Sequence, residues 1–121
     1  RPPRVELLKT FPTFVPELLR EQLNESAKKH QETRTDFLLR SVAQILRQKN
    51  TINKMKLQRT HPRSGDGWVL FHVPFLEEDV EKINKMYQEK DVSRASFLYS
   101  ILLLIIENEP NVLKFDQPDQ M

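Results

Sequence analysis

The sequence contains no cysteine and only two glycines among its 121 residues. Without cysteine there are no disulfides, thiol nucleophiles or thiolate metal ligands, as is usual in a reducing compartment. Gly65 and Gly67 cannot form a glycine-rich phosphate loop. The three histidines, His30, His61 and His72, do not have the spacing of a metal site. We therefore expect neither a metal nor another cofactor.

Long hydrophobic runs are also missing. The longest apolar stretch, Ile101 to Ile106, is far shorter than the roughly 20 residues of a membrane-spanning helix. No leader-like apolar run follows Arg1 and Arg4. We expect no membrane association and a location in the bacterial cytoplasm. Because the chain starts with Arg rather than Met, we also expect it to be a piece of a longer protein.

Charge is distributed unevenly along the chain, although the net charge is only +2. Residues 1–60 hold thirteen Lys or Arg against six Asp or Glu, a net charge of +7. Residues 61–121 hold six against eleven, a net charge of −5. A basic half favours a polyanionic partner such as nucleic acid. The alternative is a chance asymmetry between two solvated surfaces.

The first half has the pattern of a strand followed by two helices. Residues 5–15 predict extended structure interrupted by Pro12. Pro16 starts a helix that extends to about residue 31, with apolar residues at four-residue spacing. Thr33 or Thr35 caps a second helix that ends near residue 48.

The second half repeats this pattern after a basic segment. Residues 49–67 have no hydrophobic periodicity and predict a linker without regular structure. Residues 68–75 alternate as a strand does, and residues 77–79 form an acidic helix start. The last helix runs from Arg94, behind the cap Ser93, to about residue 108.

Apolar, capping and basic positions coincide when the halves are aligned at an offset of 60, which indicates an internal duplication. The matched pairs include Phe11 with Phe71, Glu17 with Glu77, Thr33 with Ser93, Arg34 with Arg94, Phe37 with Phe97 and Ile45 with Ile105. One strand-helix-helix unit has no partner for its strand and no cover for its helices. Two units satisfy both needs if their strands pair above four helices.

The expected fold is therefore mainly α with a two-stranded antiparallel ribbon, in which two fused units form a pseudo-twofold intramolecular dimer. The first unit spans 1–48 and includes the basic N-terminal arm, and the basic linker spans 49–67. The second unit spans 68–109, and residues 110–121 form a polar tail. Together they make one compact domain, and we expect the chain to be monomeric.

This pattern, over roughly residues 5–108, resembles the ribbon-helix-helix family, and within it the tandem single-chain members that assist plasmid and T-DNA transfer. The resemblance implies a double-stranded DNA-binding accessory protein that acts beside a relaxase and other transfer proteins. In this family the ribbon enters the major groove, and the N-terminus of each second helix binds a phosphate.

Carried onto this sequence, the resemblance predicts two groups of DNA contacts. The ribbon contacts are Lys9, Thr10, Leu70 and His72. The phosphate contacts at helix N-termini are Thr33, Arg34, Thr35, Ser93 and Arg94.

A third group of DNA contacts is predicted from basic charge alone, in the linker and the arm. These residues are Arg1, Arg4, Lys49, Lys54, Lys56, Arg59 and Arg63. The alternative for all of them is a solvated surface.

The ribbon departs from the family pattern, because its predicted outward side chains are largely apolar where the family usually offers Arg, Lys, Asn or Gln. We therefore expect base-specific readout to be weak, or to depend on DNA shape, on contacts with thymine methyl groups or on the neighbouring Lys9. Two other functions stay open: a transcriptional regulator of the same fold, or a protein-interaction module using Trp68, Leu70 and Phe14. An enzyme is not expected, since the acidic residues 77–79 are explained by the helix dipole.

Overall fold

The structure is a computed structural model that describes residues 8–108 of the chain. Its elements in chain order are β1 (Leu8–Pro16), α1 (Glu17–Lys29), α2 (Arg34–Leu46), α3 (Lys49–Lys54), β2 (Trp68–Leu76), α4 (Val80–Glu89) and α5 (Arg94–Glu107). A 3₁₀ turn, Glu77–Asp79, joins β2 to α4. The prediction of a mainly helical fold with a two-stranded antiparallel sheet is confirmed. The predicted tail, 110–121, and the arm residues Arg1 and Arg4 lie outside the described residues.

The two strands pair antiparallel along their whole length. Pro12 lies opposite His72 at the middle of this ribbon, and Pro16 lies opposite Trp68 at one end. The expectation that Pro12 interrupts the extended segment is wrong. Each strand of a two-stranded ribbon keeps one free edge, where the N–H that proline lacks is not needed. His72 also lies sixty residues after Pro12. The two residues paired at the centre of the ribbon are therefore separated by the same offset that aligns the two halves of the sequence.

Alternate residues of both strands form the inner face of the ribbon and are buried against the helices. They include Val15 on β1 and Phe71, Val73 and Phe75 on β2. The main contacts cross between the halves of the chain, because α2 packs on β2 and α5 packs on β1. Neither half therefore has a complete core of its own.

The last helix, α5, is buried around most of its circumference, as its nearly continuous apolar sequence predicts. Phe97, Leu98, Ile101 and Leu102 are fully buried. At its first turn, the Thr13 hydroxyl of β1 donates a hydrogen bond of 2.7 Å to the carbonyl of Ala95. This bond ties the ribbon to the start of α5.

The turns that follow α1 and α4 have the same backbone geometry. Gln31 and Asp91, sixty residues apart, have φ of 58° and 57°, the left-handed conformation that commonly ends a helix. The N–H of the next residue bonds back to the helix in each case, from Glu32 to the Ala27 carbonyl at 2.9 Å and from Val92 to Tyr87 at 3.2 Å. Both turns direct the second helix of their half back under the ribbon.

Residues 49–67 differ from the predicted linker without regular structure. The segment begins with α3, and Ile52 and Met55 are buried in the core. Two apolar residues three positions apart are too few to give a detectable period, but they suffice to bury one helical turn. Farther on, Gly65 and Trp68 exchange two backbone hydrogen bonds of 2.9 Å, which start β2.

Candidate nucleic-acid interface

The outer face of the ribbon brings together three of the four predicted ribbon contacts. Thr10 and His72 are exposed, and Leu70 is 49% exposed. Pro12 faces His72 across the strands, and Phe14 faces Leu70. The middle of this face therefore combines one imidazole with three apolar side chains.

Both ends of the outer face are partly covered. Trp68 is half-buried, with the His61 ring stacked 5.5 Å from it and the Tyr99 ring tilted at 5.4 Å. Burial also raises the pKa of the Tyr99 hydroxyl. Pro74, which the strand alternation places on this face, is buried. The accessible part of the ribbon is thus its centre, together with Thr10.

Lys9, the fourth predicted ribbon contact, is not on this face. It lies opposite Phe75 in the register, so the alternation places it on the helix side of the ribbon. It borders an open hollow of about 380 Å³ whose lining includes Glu77, Glu78 and Glu81. These acids line the same hollow as Lys9, and their negative charge disfavours an approaching phosphate.

The two second helices, α2 and α5, begin with equivalent caps. The Thr33 hydroxyl accepts a hydrogen bond from the Asp36 amide at 3.1 Å, and the Ser93 hydroxyl accepts one from the Ser96 amide at 3.1 Å. Thr33 is thus the cap of α2, and Thr35 lies exposed in its first turn. The remaining free N–H groups and the helix dipole make each terminus favourable for an anion.

Each of these helices also places an arginine against the strand of the other half. The Arg34 guanidinium lies 4.9 Å from the centre of the Phe71 ring, and the Arg94 guanidinium lies 3.9 Å from that of Phe11. Contacts of this type contribute about 0.5–2 kcal/mol. The two contacts are reciprocal, since each partner of one pair lies sixty residues from its counterpart. They hold a cation beside each capped helix N-terminus.

Sequence reasoning found the two arginines but missed the phenylalanine rings that support them. In the sequence, Phe11 and Phe71 were matched only as equivalent apolar positions of the two halves. The signal was present in the repeat itself, because an aromatic residue and an arginine recur together at the same offset. Which arginine meets which ring depends on the crossing of α2 and α5 under the ribbon, and a sequence pattern does not specify that crossing.

The turn before α2 is fixed by a two-point ion pair. The Glu32 carboxylate accepts hydrogen bonds from the Arg40 guanidinium at 2.7 and 3.2 Å. This hydrogen bonding lowers the pKa of Glu32 from its ordinary value. The pair compensates an acidic charge directly beside the Thr33 cap and holds the turn in position.

The five basic residues predicted in the linker are all exposed, and they occupy different places. Lys49 and Lys54 lie on α3, and Lys56 follows it. Arg59 lines an open hollow of about 800 Å³ that also includes Ser93 and Ser96. Of these five basic residues, Arg59 is therefore the one that borders the N-terminus of α5.

The backbone of the linker is fastened to α5 by two serine side chains that sequence reasoning did not single out as contacts. The Gln58 amide donates to the Ser100 hydroxyl at 2.8 Å, and the Thr60 amide donates to the Ser96 hydroxyl at 3.1 Å. The sequence signal that could have indicated this attachment was a pair of serines, four residues apart, on a mostly apolar helix. The linker thus lies beside one helix N-terminus, and α2 carries no equivalent attachment among the hydrogen bonds of residues 8–108.

Three further expectations concern metals, membranes and the arm. The part of the chain that the structure describes has no cluster of His, Cys, Asp or Glu suited to a metal ion. Within residues 8–108, no helix is both long and apolar enough to cross a bilayer. The predicted contacts Arg1 and Arg4 precede the described residues, so their position relative to the ribbon stays a prediction.

A scan against protein-family models, a search of curated proteins and a search of solved structures each found no match to this chain. The functional conclusion therefore depends on the geometry of the residues above and on the resemblance of the sequence pattern.

Proposed function

We propose that the chain binds double-stranded DNA as two fused ribbon-helix-helix units related by a pseudo-twofold axis through the ribbon. The observation that carries the proposal is the reciprocal placement of Arg34 on Phe71 and Arg94 on Phe11. Each guanidinium lies next to a capped helix N-terminus, so two candidate anion sites flank one ribbon. The paired strands lie between the two sites, as a DNA groove lies between two phosphate backbones. With the ribbon in the groove, each site can therefore bind one backbone.

Three other features support the two-unit arrangement. The strand register is centred on Pro12 and His72, which are sixty residues apart. The turns at Gln31 and Asp91 share one geometry at the same offset. The long helices α2 and α5 each pack on the strand of the other half. A duplicated unit that pairs with its own copy accounts for all three.

The proposal is tested by measuring binding to duplex DNA as a function of salt concentration. Each phosphate contact that is lost lowers the slope of log affinity against log salt by about 0.9. We expect Arg34→Gln with Arg94→Gln to reduce the slope by about 2 and to weaken binding roughly tenfold at moderate salt. Fluorescence anisotropy with a labelled duplex measures both quantities.

Arg47→Gln is the matched control, because Arg47 caps the C-terminal end of α2 and is exposed. It removes one positive charge, half the number removed in the double variant, about 20 Å from Arg34 at 1.5 Å per helical residue. We expect it to change the slope little. No binding at low salt, or an equal loss in the control, would contradict the proposal.

On the family resemblance, we extend the proposal to an accessory role in plasmid-type DNA processing, such as T-DNA border cleavage, beside a relaxase. The expected result is that the protein increases nicking by the relaxase at a transfer origin or border. Footprinting on that DNA and on a promoter separates this role from transcriptional regulation. Protection confined to the promoter would favour the regulator.

A further inference from the structure

The outer face of the ribbon has little hydrogen-bonding capacity for a surface proposed to enter a groove. Its central side chains border an open hollow of about 790 Å³, whose lining also includes Tyr87 and Arg94 from the helices. These central side chains are Pro12, Phe14, Leu70 and His72. Only His72 among these four has a polar side-chain group, and Thr10 adds one hydroxyl nearby.

An apolar face discriminates against most base edges. The major-groove edges of guanine, cytosine and adenine present only hydrogen-bond donors and acceptors, whereas thymine adds a C5-methyl group beside its O4 acceptor. A polar base atom pressed against Leu70 or Phe14 loses its water without gaining a partner, which weakens binding. A methyl group buried at the same place instead gains about 0.8 kcal/mol. Both terms favour thymine.

Charge complementarity favours DNA as the occupant of this face. The Arg94 guanidinium borders the hollow and lies against Phe11 on the ribbon, and Arg34 lies against Phe71 in the other half. A purely apolar protein partner would leave these guanidinium groups without an anion. A polyanion with methyl groups in its groove satisfies both the cations and the apolar centre.

Resting on the proposed function, we infer that the ribbon recognises the C5-methyl groups of thymine, through Leu70 and Phe14 at its centre. His72 supplies one hydrogen bond beside them. The preference for a DNA sequence then depends more on the positions of its thymine methyl groups than on the pattern of hydrogen-bond donors and acceptors in the groove.

The test compares two duplexes of one sequence, about 20 base pairs long or two helical turns, with thymine in one and uracil in the other. Uracil pairs as thymine does and lacks only the methyl group. We expect weaker binding to the uracil duplex by roughly fourfold for each methyl group that the ribbon buries. Both duplexes are measured at the same salt concentration, so that the phosphate contribution is shared.

Leu70→Ala should remove most of this discrimination while the salt slope stays unchanged. Leu18→Ala is the matched control. Leu18 is the other large apolar side chain that is exposed among the described residues, at 65%, and it lies on α1. The control variant should discriminate as the unmodified chain does. Far-UV circular dichroism confirms that both variants are folded.

Each other outcome overturns the inference in a recognisable way. Equal binding to both duplexes, with a normal salt slope, leaves the DNA proposal standing and removes the methyl recognition. Discrimination that survives Leu70→Ala places the methyl contact elsewhere. Self-association that Leu70→Ala abolishes, without any thymine preference, assigns the face to a second copy of the chain. Absence of binding to both duplexes at low salt removes the proposed function itself.

Discussion

Individual polar side chains in the core hold the ribbon to the helices at fixed points. Thr13 is buried on the inner face of β1, and its hydroxyl donates to the Ala95 carbonyl at 2.7 Å. Ala95 follows directly after Arg94, so this bond helps to determine where the guanidinium lies. A buried hydroxyl is stabilising only while it keeps such a partner.

Thr13→Val removes the hydroxyl and keeps the shape of the side chain. We expect the free energy of unfolding to fall by about 1 kcal/mol, which is typical of one lost hydrogen bond. Denaturant unfolding followed by circular dichroism measures the change. Thr10→Val, on the exposed face of the same strand, is the control and should stay within about 0.5 kcal/mol. An unchanged or greater stability of Thr13→Val would show that the bond contributes nothing.

At the scale of elements, the linker is attached to α5 more firmly than its sequence indicates. Ile52 and Met55 bury its first part, and the hydroxyls of Ser96 and Ser100 accept the amides farther along. Arg59 is thereby held beside the N-terminus of α5. The two helix N-termini also differ in charge, because the first turn of α2 contains Asp36 where α5 has Ser96.

Ser100→Ala removes the acceptor of the Gln58 amide. We expect this amide to exchange its hydrogen roughly three to ten times faster, since a hydrogen bond contributes about 0.5–1.5 kcal/mol. Hydrogen exchange monitored by NMR resolves the individual amide. Ser64→Ala, in the exposed part of the same segment, should leave the rate unchanged. Equal rates in Ser100→Ala and the unmodified chain would mean that the linker backbone is held by other contacts.

The elements that could be predicted from sequence were those with a clear period or a capping residue. The boundaries of α2 and α5 follow from Thr33 and Ser93, and β2 follows from strict alternation. α3 could not be predicted, because its burial depends on two apolar residues that meet the core only after the chain has folded. Lys9 was misplaced although the sequence held the signal, since alternation from the inward-facing Phe11 places it on the helix side of the ribbon.

At the scale of the whole molecule, the two halves share one core. β1 needs β2 for its backbone hydrogen bonds, and α2 and α5 each cover the strand of the other half. Neither half retains a buried sheet face without the other. Unfolding of the ribbon is therefore coupled to unfolding of the helices.

We therefore expect a single cooperative unfolding transition. Far-UV circular dichroism follows the helices, and Trp68 fluorescence follows the start of β2, so both signals should change at the same denaturant concentration. The midpoint should not depend on protein concentration, because the strand pairing is within one chain. Two separate transitions would indicate halves that fold independently. A concentration-dependent midpoint would indicate an intermolecular assembly.

The pair at the centre of the ribbon, Pro12 opposite His72, has a consequence for orientation. Two identical chains that met at a dyad would place the same residue on both sides of that point. A single chain can place a pyrrolidine ring opposite an imidazole, so the middle of the outer face has a left and a right side that differ chemically. A duplex seated on this face would then be bound in one of two opposite directions in preference to the other, and the bound protein would mark one strand as distinct from its complement.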